Sequence, residues 1–172
     1  MDEDQTERIY RNAGMMCGKT LTWEEQLSVM RTLFPFVSSK AALQEKHFLR
    51  GYANSCRIFA MENREEEALL NQHLEQAFTE YQRSYEETGT PEAIANLLWC
   101  LCVGCFFRAV GECPEETRVE YTKDCYETGL LLSGILREYK AYEELAEYYG
   151  TLLNVVGTGG NAVEVDRSKK VG

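Results

Sequence analysis

Seven cysteines stand in this chain of 172 residues, at positions 17, 56, 100, 102, 105, 113 and 125. Cys100, Cys102 and Cys105 form the densest group, and three thiolates at close spacing are a soft-metal or redox pattern. On a helix, however, Cys102 and Cys105 share a face while Cys100 points about 140° away from Cys105. Three ligands do not converge, so these thiols read as small buried hydrophobes. An odd count without an export signal points to reduced cysteines rather than a disulfide framework. The two histidines, His47 and His73, are not in a His-Glu-x-x-His pattern. A carboxylate-bridged di-iron bundle would need Glu three positions before each, where the chain has Gln44 and Leu70. Gly18-Lys19-Thr20 follows Gly14 one position too closely for a phosphate-cradling loop, and Gly157-Thr158-Gly159-Gly160 has no buried strand leading in. No nucleophile, base and orienting group assemble. The expectation is therefore a chain that is no enzyme, with no catalytic residue, no metal and no cofactor.

Charge is more informative. Lys and Arg total 18 against 28 acids, a formal charge of −10, which excludes a general match to a nucleic-acid backbone. Yet from Arg31 to Arg57 five basic residues face Glu45 alone. Lys46, Arg50 and Arg57, spaced four and seven apart, share one helix face. The stretch Glu62 to Glu87 reverses the balance, with eight acids and two arginines. Two readings follow. The basic face pairs with the adjacent acidic helix, or it forms one wall of a groove that receives an acidic peptide or a carboxylate.

The elements that would position these groups are helical throughout. With 44% hydrophobic and 27% charged residues the chain can bury a core. Thr22-Trp23-Glu24-Glu25 is a capping box that opens a helix stopped by Pro35. Ser38 or Ser39 is expected to cap a long helix through Leu43, Phe48, Tyr52, Cys56 and Phe59. Residues 63–87 carry apolar positions at steps of three and four, ended by Gly89. Residues 91–110 leave no polar stripe, so this helix is expected at the centre of the fold or in a homo-oligomer interface, with Trp99 as its largest buried side chain. Helices over 114–138 and from Tyr142 to Val156 follow, the first with Val119, Tyr126, Leu130 and Ile135 near one face and Cys125 and Ser133 between them. A shorter helix over Gln5–Met16 completes the expectation of six to eight antiparallel helices, with residues 1–156 as one domain and 157–172 as a tail. No alternating strand occurs. The longest apolar run, Leu97–Phe107, is about half the roughly 20 residues a membrane span needs. The N-terminus lacks a basic start and an apolar stretch, so a cytoplasmic chain outside the membrane is expected.

Leu97–Tyr126 resembles a tetratricopeptide unit. Gly104 occupies the small position of the first helix, Phe107 follows, Gly111 sits at the turn, and Thr117 and Tyr121 take the small and aromatic positions of the second. Leu145–Val163, with Tyr149, Leu152, Val156 and a Gly160-Asn161 turn, resembles a second, shorter copy. The resemblance implies an all-α array with superhelical packing, the competing architecture being an irregular bundle. It also implies a groove that holds peptides. The expected function is a protein-interaction module, with Lys46, Arg50, Arg57 and the exposed aromatic Tyr148 as partner-binding residues. The runner-up is a small-molecule or thiol/metal-sensing regulatory domain.

Overall fold

The computed structural model of the chain describes residues 22–35, 40, 42–61, 67–110 and 115–157. The expected Gln5–Met16 helix, the Gly18-Lys19-Thr20 segment, Ser38 and Ser39, Gly111, Cys17, Cys113 and the tail beyond Gly157 lie outside them. The described residues form six α-helices and no strand. They are α1 (Trp23–Leu33), α2 (Lys46–Phe59), α3 (Glu67–Thr88), α4 (Pro91–Val110), α5 (Glu115–Arg137) and α6 (Glu143–Gly157). Single 3-10 turns at Ala42–Gln44 and Lys140–Tyr142 precede α2 and α6. Among the described residues no helix is long and apolar enough to cross a membrane.

The chain divides within α4 into two compact units. Thr22–Cys100 forms the first. Its entry is the expected capping box: the Thr22 hydroxyl accepts from the Glu25 amide, and the Glu25 carboxylate accepts from the Thr22 amide. The expected start of the second helix is corrected. The chain makes a 3-10 turn with Ala42 buried, Glu45 turns extended, and its carboxylate accepts from the Phe48 amide, so α2 begins at Lys46. α2 and α3 then pack antiparallel, their spacing set by an unusual contact. Gly51 lies flat against the buried ring of Tyr81, and a Cβ at position 51 would stand 2.7 Å from two ring carbons. The Tyr81 hydroxyl hydrogen-bonds the Ser55 hydroxyl at 2.9 Å. Gly89, at φ +65°, turns the chain out of α3, and Pro91 opens α4 where its missing N–H leaves no bond unmade.

Every residue of α4 from Glu92 to Cys105 is buried, as its unbroken apolar surface requires. Trp99 is fully buried. Its indole N–H donates to the Met30 carbonyl at 3.0 Å, and Phe34 and Phe59 meet its ring edge-to-face, at 4.8 and 5.6 Å. One side chain thereby ties α1, α2 and α4 together.

The second unit comprises the described residues from Leu101 onward, with α5 and α6 packed antiparallel. The buried stripe of α5 differs from the expected one. Val119 and Leu130 are exposed, and the face turned inward is Thr122, Cys125, Gly129, Ser133 and Leu136. Small residues win because they let α6 come close: Leu153 lies over Gly129, and the Ser133 hydroxyl donates to the Ala146 carbonyl at 2.9 Å. Of the residues that carry the repeat resemblance, Gly104 and Tyr121 do meet, the phenol lying where a Cβ would project.

Candidate functional site

Between α2 and α3 runs an open groove of about 490 Å³. Arg50, Ala53, Asn54 and Arg57 form one wall, at the i, i+3, i+4, i+7 spacing of a single helix face. Glu75, Gln76, Thr79 and Glu80 form the other. The Asn54 amide organises the first wall: its N–H donates to the Arg50 carbonyl at 3.1 Å and its oxygen accepts from the Arg57 guanidinium at 3.1 Å. Asn54 is itself buried, so it holds Arg57 from below while both guanidiniums stay exposed. Among the described residues neither arginine makes an ion pair with a carboxylate.

Of the four residues expected at a binding surface, the structure brings Arg50 and Arg57 together. Lys46 is exposed in the first turn of α2, beyond the residues that line the groove. Tyr148 belongs to the second unit, half-buried with its ring edge-to-face against Tyr149 at 5.5 Å. Asn54 was legible and overlooked, because the spacing that aligns Arg50 with Arg57 places it on the same face.

At the end of α2 near its N-terminus lies a second polar group. His47 is buried, and its Nδ1 is 2.7 Å from Glu80 Oε2 while its Nε2 is 3.3 Å from Glu87 Oε1. The Glu45 carboxylate that caps α2 completes a set with His47 and Glu87 whose ligand atoms all lie within 4.8 Å of one another. Glu80 is gripped at its other oxygen by Arg83, at 3.5 Å. Glu80 and Glu87 stand 33 and 40 positions from His47, so no local motif announces them. Glu45 alone of the set stands near His47 in sequence.

The thiols behave differently. Cys100, Cys102, Cys105 and Cys125 are buried, and Cys56 is exposed. Burial, reinforced by Cys125, pushes the Cys102 thiol well above its ordinary range and keeps it protonated, the form that neither attacks nor ligates. Burial also raises Tyr81, with Cys100 adding to the effect and the Ser55 hydrogen bond opposing it. Tyr52 is raised by Cys56 beside it and then by burial.

No protein-family profile, curated protein or solved structure matches the chain. The functional reading rests on the two polar groups of the first unit.

Proposed function

We propose that this chain is a non-enzymatic protein-interaction module that takes an acidic segment of a partner, peptide or helix, into the groove between α2 and α3. The carrying observation is the pair of exposed guanidiniums, Arg50 and Arg57, two turns apart on one face and paired with no carboxylate among the described residues. Seven residues of helix place them about 10 Å apart. Guanidinium forks match carboxylates in a bidentate way, and in a chain of charge −10 such a patch steers only what reaches it closely. Glu75 and Glu80 on the opposite wall shape the partner as well: acids should face α2, with amide or basic groups toward α3. The buried thiols and a histidine engaged at both ring nitrogens support a binding rather than a catalytic role. The tetratricopeptide resemblance points to the same class of function.

A peptide-library selection on the full chain tests this. Enriched sequences should carry Asp or Glu in pairs, bind more weakly as salt rises, and be lost to the Arg50→Glu, Arg57→Glu double variant while its melting temperature stays within a few degrees. Selection without acidic enrichment, or peptides that bind the double variant equally well, would refute the groove. A fall in melting temperature with binding intact would assign the arginines to internal pairing.

A further inference from the structure

We propose that Glu45, His47 and Glu87 bind a first-row divalent metal ion of the zinc type, with Glu80 as the residue that positions the histidine. The argument starts from the imidazole. A neutral ring has one N–H and one lone pair. Both ring nitrogens of His47 face carboxylates, Nδ1 at 2.7 Å from Glu80 and Nε2 at 3.3 Å from Glu87. The shorter contact assigns the N–H to Nδ1, donated to Glu80. The Nε2 lone pair then faces the lone pairs of Glu87, an arrangement that is repulsive unless a cation stands between them. A second proton on the ring or a metal ion are the two cations that fit.

Three observations favour the metal. First, the separation of 3.3 Å between Nε2 and Glu87 Oε1 equals the edge of a tetrahedron with metal–ligand bonds of about 2.0–2.1 Å. A hydrogen bond from a charged ring would be shorter, at about 2.7–2.9 Å, as it is on the Glu80 side. Second, a third donor is in place. The Glu45 carboxylate lies within 4.8 Å of the other two ligand atoms, and its cap to the Phe48 amide uses one of its several lone pairs. Third, the outer shell is the one that metal-binding histidines use. Glu80 accepts from Nδ1, and Arg83 holds the second oxygen of Glu80, so Glu80 orients the ring without itself ligating.

The surroundings agree in sign. Three carboxylates, from Glu45, Glu80 and Glu87, gather round one imidazole, with Arg83 in contact with Glu80. The partial negative charge at the C-terminus of α3, where Glu87 sits, adds to the attraction for a cation and offsets the positive end of α2. One imidazole and two carboxylates select a borderline ion over magnesium or calcium, which prefer all-oxygen shells. Three protein ligands leave a fourth position to water or to a group from outside. The ligand atoms lie up to 4.8 Å apart, so the set must close by up to about 1.5 Å to reach a tetrahedral edge, a movement open to Glu87 because its side chain is exposed.

Zinc titration of the metal-stripped full chain by calorimetry, with cobalt absorption as a second readout, decides the matter. One equivalent should bind, and cobalt should give visible bands without sulfur-to-metal charge transfer. Glu87→Gln, on an exposed side chain that the fold does not need, should weaken zinc by ten-fold or more. His47→Gln should abolish binding. Glu80→Gln should weaken it 10- to 100-fold with an unchanged melting temperature, which a purely structural role would not produce. Glu127→Gln, outside both sites, should bind zinc as the parent does. Absence of binding to the parent chain would overturn the proposal and leave the proton as the cation. Binding that survives Glu87→Gln undiminished, or a thiolate signature in the cobalt spectrum, would overturn it by placing the metal elsewhere. Should His47→Gln fail to fold, Glu87→Gln decides alone.

Discussion

Trp99→Ala should be the most destabilising single truncation in the first unit. The side chain is fully buried, its ring meets Phe34 and Phe59 edge-to-face, and its N–H satisfies the Met30 carbonyl. Emptying such a site costs about 3–5 kcal/mol in lost transfer energy and cavity formation. The Met30 carbonyl, left buried without its donor, adds about 1–3 kcal/mol unless the backbone relaxes to another partner. These terms overlap, so about 4–6 kcal/mol is a reasonable total, against roughly 5–15 kcal/mol for a whole domain. At about 2–4 °C per kcal/mol for a chain of this size, the melting temperature should drop by 10 °C or more. Trp99→Phe separates the contributions: it keeps most of the ring packing and loses the hydrogen bond, so it should fall by about 1–3 kcal/mol. Urea unfolding followed by far-ultraviolet circular dichroism reads both. A Trp99→Ala midpoint equal to the parent's would refute the placement of α4 at the centre of this unit, and a Trp99→Phe midpoint equal to the parent's would refute the indole hydrogen bond.

Gly51→Ala should cost about 1–3 kcal/mol by forcing the Tyr81 ring off α2, a shift measured by denaturant midpoint and absent if the helices part freely. Stability should be flat from neutral pH to about 8.5 and then fall by roughly 1.4 kcal/mol per pH unit: the folded Cys102 keeps its proton while the unfolded thiol ionises, so alkali favours the unfolded chain. Cys102→Ala should flatten that slope, and an identical slope in both proteins would assign the loss elsewhere. Among the described thiols, a water-soluble thiol reagent should label Cys56 long before Cys100, Cys102, Cys105 or Cys125, which mass spectrometry of timed samples resolves.

The helical architecture was legible because its signals are local. A capping box needs only Thr22 and Glu25, and an unbroken apolar surface over Pro91–Val110 has few places to go but the interior. The shared face of Arg50 and Arg57 follows from helical spacing once α2 exists. What the pattern missed depended on where α2 starts and on which helix lies beside it. The helix starts at Lys46 because the Glu45 carboxylate reaches the Phe48 amide, and that start leaves Lys46 at the helix end, outside the groove. On α5 the expected Cys125 and Ser133 are buried but Val119 and Leu130 are not, because close approach of α6 favours the small Gly129 over bulk. The histidine cluster is hidden in the sequence because only Glu45 stands near His47, while Glu80 and Glu87 reach it from the antiparallel neighbour helix, a distance set by packing.

The contact of Gly51 with Tyr81 has a historical consequence. A ring resting on bare backbone acts as a mechanical stop, and the width of the neighbouring groove depends on it. A larger residue at 51 would be admissible only if 81 shrank, and a smaller ring at 81 would leave a void that a side chain at 51 could fill. In lineages descended from this sequence the two positions should drift as a pair, each constraining the other. Arg50, the immediate neighbour of Gly51, can vary with whatever the groove is selected to hold.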